Sequence, residues 1–110
     1  MKLDKSREWL SRARKVIPSA TQTFSKGPNQ WVRGVSPHFL ERGEGAWVWD
    51  VDGNKFLDYL MALGPIVLGY NHPRVNEAII HQAHNGAVFS QMHPLEVEVA
   101  ELMCDLIPCA

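Results

Sequence analysis

The pair Asp52–Gly53 stands between two runs of aromatic and β-branched residues in "GAWVWDVDGNKFLDYL". No other feature of the chain restricts its fold as strongly. A tight turn between strands needs positive φ, which glycine adopts without a Cβ penalty, so Asp-Gly between such runs specifies a β-hairpin. The spacing predicts strands over 46–51 and 55–59, and the preceding "FLERG" adds a third, antiparallel strand. Trp47 and Trp49 are two residues apart and share one face of their strand. Their large apolar area makes that face a packing platform in preference to an aromatic ligand cage.

Three helices are predicted around the hairpin. Over residues 3–17, Leu3, Leu10, Ala13, Val16 and Ile17 recur at helical spacing, and Pro18 ends the run. The Arg and Lys residues of this helix form a solvated face. A second helix covers 73–86, capped by Asn71 or His72, with Pro73 in its first turn and Gly86 at its end. Val75, Ala78, Ile79 and Ala83 form its buried stripe. The third covers 94–107, from Pro94 to the residue before Pro108, with Leu95, Val99, Leu102, Met103 and Leu106 as its stripe. The segment 18–38 lacks periodicity and is rich in Ser, Thr, Gly, Pro and Asn. Loops of that length are uncommon in compact domains and tend to be functional or disordered; Phe24 and Trp31 imply that parts of this one are pinned. "LMALGPIVLGYNHPRV", residues 60–75, carries two glycines, two prolines and a histidine in an apolar run. Neither a strand nor a helix interior accepts that punctuation, so this too is a loop.

At 110 residues the chain is one ordinary domain or part of a larger one. A formal net charge of -1 lacks the basic excess of nucleic-acid or anionic-membrane binders. No apolar run approaches the roughly 18–20 residues of a membrane span, and "MKLDKSREWLSRARKV" has no signal-peptide core, so a cytoplasmic location is expected. Cys104 and Cys109 fit no zinc or redox spacing and read as two reduced thiols. The strongly apolar approach to the final "LIPCA" suggests a piece of something longer.

Motifs for chemistry are sparse. His81 and His84 are three apart on the second helix, but the sequence places no third metal ligand. There is no G-x-S-x-G, no G-x-x-x-x-G-K-[ST] and no G-x-G-x-x-G. Two loops are more suggestive. "GPIVLGYNHP" offers backbone N–H groups ahead of a helix, which suits either an anion site or a close-packed crossover. "VFSQMHPLE" sets Ser90, Gln91 and His93 before a helix N-terminus, as anion loops do, although capping alone accounts for Ser and His there.

"GAWVWDVDGNKFLDYL", "LGPIVLGYNHPRVNEAI" and "HPLEVEVAELMCDLIP" occur in the order and spacing of class III aminotransferases, and the chain resembles this family from Ser11 to Ala110. The branch it is most similar to is the glutamate-semialdehyde aminomutase group. The resemblance implies an α/β fold: the N-terminal part of the aspartate-aminotransferase-like (fold type I) architecture, with pyridoxal 5'-phosphate as cofactor. It implies residues 1–70 as N-terminal helix and small-domain sheet, and 71–110 as interface loops and first helices leading into the large domain. It places Ala62, Leu63 and Gly64 at the substrate pocket. Ser25 and Lys26 stand where the aminomutase carries the loop that binds the substrate carboxylate. The segment from Phe89 to His93, with Ser90, Gln91 and His93, is implied to approach the cofactor phosphate of a neighbouring subunit in a homodimer.

Two departures from the aminomutase pattern point to another substrate. "TQTFSKGPNQW" is about two residues longer than the aminomutase loop and replaces its Arg with Lys26, which cannot bind a carboxylate bidentately. Leu63 stands where the aminomutase has Trp. The expectation is therefore a transaminase moving an amino group from a small-molecule donor to a keto or aldehyde acceptor, a keto-sugar being suggested by "TFSKGP". The alternatives are the aminomutase itself or a non-catalytic interaction module. None of the five lysines matches the family's cofactor-bonding position, so these 110 residues alone are expected to be inactive. The fragment reading also predicts helices standing away from the hairpin with their apolar stripes uncovered.

Overall fold

The computed structural model describes all residues, Met1–Ala110. The chain has three helices and a small three-stranded antiparallel sheet, and it divides into two units, Met1–Pro73 and Arg74–Ala110.

The first unit is built on the hairpin. Strand β1 (Leu40–Glu44), β2 (Trp47–Asp50) and β3 (Lys55–Leu57) lie side by side in chain order. Asp50 N–H donates to Asn54 O at 3.1 Å, and Gly53 N–H to Asp50 O at 3.0 Å. Gly53 sits at φ 84°, so the loop is the glycine-ended three-residue type. Its carboxylates do the rest. Asp50 is 1% exposed, and it accepts from Asp52 N at 3.0 Å, Asn54 N at 2.8 Å and Asn54 Nδ2 at 2.7 Å. A buried carboxylate is tolerable only when its acceptor sites are filled in this way.

Helix α1 (Asp4–Val16) has no cap from its own Leu3. Asp52 caps it from the hairpin loop, accepting from Lys5 N and Ser6 N at 2.9 Å each. Asn54 Nδ2 donates to Lys2 O at 2.6 Å, and Ser6 Oγ accepts from His38 N at 3.1 Å. The hairpin loop thus satisfies orphan amides of the helix and fixes where it starts. Helix α1 is therefore docked, contrary to the expectation that all the helices stand away from the hairpin. Ser6 and Ala13 are its buried residues and Leu3 is buried just ahead of it, whereas Val16 is 78% exposed.

The buried face of β2 is that of Val48 and Asp50, so the tryptophan platform is corrected too. Trp47 is 42% exposed. The tryptophan face is covered by cations: Lys55 Nζ lies 4.2 Å from the Trp47 ring centre and 5.2 Å from that of Trp49, with the Arg42 guanidinium 3.8 Å from Trp49. Arg42 and Lys55 are the register partners of Trp49 on either side, which accounts for the ladder.

The segment 18–38 folds into three single 3-10 turns, Pro18–Ala20, Phe24–Lys26 and Pro28–Gln30. Phe24 is 86% exposed and so is not one of its pins.

The second unit comprises the rest of α2 (Pro73–Asn85) and α3 (Pro94–Leu106). Gly86, at φ 101°, ends α2, and Gln82 Nε2 donates to Gly86 O at 2.7 Å. Neither helix buries a residue, so the stripes predicted as buried are exposed. Two helices have no further layer with which to cover both apolar faces. Neither they nor α1 is long and apolar enough to cross a membrane.

Candidate functional site

An open cleft of about 650 Å³ lies within the first unit. The 3-10 turn 24–26 brings Ser25 and Lys26 to it, and the turn Met61–Leu63 brings Ala62 and Leu63. Four of the five residues expected at a substrate pocket thus line one cleft, although they lie almost forty residues apart in sequence; Gly64 is not in its lining. Trp31, Phe56 and Leu60 supply apolar wall, while His38, Glu41, Asp58 and Tyr70 add polar groups. Arg42 borders the cleft from the sheet, but its guanidinium lies over Trp49 on the other face, so Lys26 is the cation of the lining.

The wall at 61–64 has an unusual backbone. Met61, Ala62 and Leu63 have φ of 44°, 54° and 70°, and Gly64 follows at 109°. A left-handed conformation costs an L-residue about 1 kcal/mol, and such residues normally occur singly. Asp58 holds this turn. Its Oδ1 accepts from Leu60 N at 2.8 Å and Met61 N at 3.2 Å, and its Oδ2 accepts from the Tyr70 hydroxyl at 2.6 Å. Tyr70 is itself tied to the sheet, with N–H···O bonds to and from Gly45 of 2.7 and 2.9 Å. Its ring lies against Gly43, where a Cβ would come within 2.5 Å of it. The loop 60–75 is therefore a packed crossover at this point: the amides of Gly69 and Tyr70 go to Ile66 O and Gly45 O, leaving neither for an anion.

Burial raises the Asp58 carboxyl, but the Tyr70 hydroxyl and the Leu60 and Met61 amides outweigh it and hold the group below its usual 3.8. Burial and then the Asp58 carboxylate push the Tyr70 phenol from 10.0 up to about 12. At Asp52 burial again acts upward, and the amides of Lys5 and Ser6, then the charges of Lys5 and Lys2, bring the net shift below 3.8. His38, beside the cleft, is lowered by burial and by Arg14, and its Nδ1 is buried without a partner. Depressed carboxyls stabilise the fold above their unfolded pKa and lose that contribution as pH falls through the folded value. A raised phenol stabilises it below the unfolded pKa and loses that contribution as pH climbs through the folded value. Stability is accordingly expected to decline below about pH 4, and again between 10.0 and about 12. Thermal melts across pH check this. Tyr70→Phe should weaken the alkaline decline, and Asp52→Asn should reduce the acid one.

In the second unit, His93 caps α3. Leu95 N–H donates to His93 Nδ1 at 3.2 Å, and His93 N–H donates to Glu96 Oε1 at 2.9 Å. Pro94 has no N–H, so the first turn of α3 offers an anion no free amide, and a carboxylate already stands there. Ser90 and Gln91 are exposed, and the His93 ring stacks on Phe89 with centroids 5.5 Å apart. Ser90 and Gln91 carry exposed polar side chains, and His93, whose Nδ1 accepts from Leu95 N–H, has its donor at Nε2. The segment does not form a complete phosphate cradle. His81 lies 3.4 Å from the Asn85 amide, and no three His, Cys, Asp or Glu side chains converge as metal ligands.

The fold of this chain is similar to that of solved transaminases. An omega-transaminase from Sphaerobacter thermophilus superposes with a TM-score of 0.81 at 28% identity, over 94% of this chain and 22% of that one. A transaminase with pyridoxal phosphate bound gives 0.78 at 32% identity, over 92% and 23%. In sequence, glutamate-1-semialdehyde 2,1-aminomutase of Chloroflexus aurantiacus is 47% identical over 98 residues, 87% of this chain and 21% of the relative. Glutamate-1-semialdehyde 2,1-aminomutase 2 of Lachnoclostridium phytofermentans is 39% identical over 112 residues, 97% and 25%. Residues 30–109 match the profile of Aminotransferase class-III, and the chain belongs to that family. It spans about a fifth to a quarter of the length of these relatives. The keto-sugar acceptor suggested by "TFSKGP" draws no support from them.

Proposed function

We propose that these residues are the N-terminal portion of a pyridoxal 5'-phosphate-dependent class III enzyme, in which they shape the substrate cleft. The observation that carries this reading is the convergence of Ser25, Lys26, Ala62 and Leu63 on one cleft within a chain of that family. The whole enzyme moves an amino group from a small-molecule donor to a keto or aldehyde acceptor. When bound, the cofactor acts as the electron sink that this exchange requires. The residues of this chain bind and orient. Lys26 supplies positive charge for a substrate carboxylate, Trp31 and Phe56 exclude water, and Ala62 and Leu63 limit substrate bulk. Ser90, Gln91 and His93 donate to the edge of the cofactor phosphate, across the interface of a homodimer. The covalent link to the cofactor comes from a lysine outside these residues, so the 110 residues alone do not catalyse.

A second reading, intramolecular amino transfer as in glutamate-1-semialdehyde 2,1-aminomutase, is favoured by the names of the relatives at 47% and 39% identity. The test is to purify the native polypeptide carrying these residues with pyridoxal 5'-phosphate and supply a donor labelled with heavy nitrogen. Bound-cofactor absorbance, with the label appearing in a separate acceptor, is the expected result. Label retained within one substrate molecule supports the aminomutase instead. A protein that retains no cofactor and transfers no nitrogen overturns both.

A further inference from the structure

Three consecutive L-residues in the left-handed region do not hold that shape unaided. What fixes Met61–Gly64 is a relay that starts in the sheet. Tyr70 is locked by its paired backbone bonds to Gly45 and by the absence of a side chain at Gly43. Its hydroxyl meets Asp58 Oδ2, and Asp58 Oδ1 takes the amides of Leu60 and Met61 at the entry to the turn. The turn then closes with Leu63 N–H to Leu60 O at 2.8 Å and Gly64 N–H to Met61 O at 3.1 Å. Ala62 and Leu63, carried on it, line the cleft. We propose that Asp58, seated on Tyr70, is a positioning residue that holds the left-handed turn Met61–Gly64 as a preset wall of the cleft and so sets the bulk of substrate admitted.

The effect on substrate rests on the function proposed above; the effect on the turn does not. The Asp58 carboxylate accepts on both oxygens, Oδ1 from the two amides and Oδ2 from the Tyr70 hydroxyl. Asparagine keeps one acceptor for the two amides and meets the Tyr70 oxygen with its amide, so Asp58→Asn should largely preserve the turn. Asp58→Ala removes the three bonds that tie the turn to Tyr70.

Hydrogen exchange of the peptide spanning residues 60–65, followed by mass spectrometry in the native polypeptide carrying this chain, reads the turn directly. Exchange at Leu63 and Gly64 should quicken at least tenfold in Asp58→Ala, on the order of the loss of one such bonded turn, and much less in Asp58→Asn. The ratio of kcat/KM for a small over a bulky amino donor should shift in the same order, Ala before Asn, while the thermal midpoint of Asp58→Asn stays near that of the parent. Unchanged exchange in Asp58→Ala overturns the proposal whether or not the protein transfers amino groups. Quickened exchange with an unchanged donor ratio overturns the role as a wall. A parent protein that binds no cofactor overturns the functional reading alone, and the exchange result then still decides whether Asp58 holds the turn.

Discussion

Asp50→Ala is expected to destabilise the first unit by about 3 kcal/mol, the scale for losing charge-assisted bonds and stranding their buried donors. The carboxylate is 1% exposed and receives both loop amides and the Asn54 side chain. Removing it leaves Asp52 N and Asn54 N without an acceptor and frees Asn54, which also holds Lys2 O. Asp52 then loses its fixed position beneath Lys5 and Ser6, so α1 is released from the sheet along with the loop. Denaturant unfolding followed by tryptophan fluorescence, with helix content read by circular dichroism, checks both effects. Asp50→Asn should fall between parent and alanine, because it keeps one acceptor but sets an amide against the Asn54 amide. A loss below about 1 kcal/mol, the worth of one ordinary hydrogen bond, would show that the loop holds without its carboxylate.

This dependence explains which parts of the molecule were readable from sequence. The helix limits were, because Pro18, Pro73, Pro94 and Gly86 punctuate them chemically: α1, α2 and α3 span 4–16, 73–85 and 94–106 where 3–17, 73–86 and 94–107 were expected. The hairpin was readable because Asp-Gly states its own φ requirement, and Gly53 has it. Burial was not. Ser6 is buried because its hydroxyl serves His38 N–H, 32 residues away, and a local pattern carries no trace of such a bond. The tryptophan face was misjudged because cations on both neighbouring strands cover it, an arrangement that depends on register. At the site, family resemblance named Ser25, Lys26, Ala62 and Leu63, yet Asp58 and Tyr70 escaped notice. An isolated Asp and a Tyr twelve residues on suggest nothing until the chain folds back. Nothing in "MALG" signals left-handed alanine and leucine, because the compensation comes from outside the segment.

Gly43→Ala should disturb the site from the edge strand β1. An added Cβ would lie 2.5, 2.6 and 2.8 Å from three carbons of Tyr70, well inside contact distance, so the ring must move. Tyr70 cannot retreat freely, because its backbone is paired with Gly45, and Gly69 beside it already has φ 82° with a Cβ position 3.0 Å from Gly45 O. Overpacking of this kind costs about 1–3 kcal/mol. The displaced hydroxyl also leaves Asp58, so the turn at 61–64 loses its anchor without any change in the turn itself. Tyr70→Ala alone makes room but strands Asp58 Oδ2. The double variant should therefore be more stable than the sum of the two single losses predicts, with a coupling of about 1–2 kcal/mol, as residues in direct contact show. Chemical unfolding of the four-member cycle measures that coupling. Strict additivity would mean that the ring yields without strain and that Tyr70 is not held by the sheet. With the coupling in place, a residue on the outer strand and a turn at the cleft behave as one packed unit, linked through one phenol and one carboxylate.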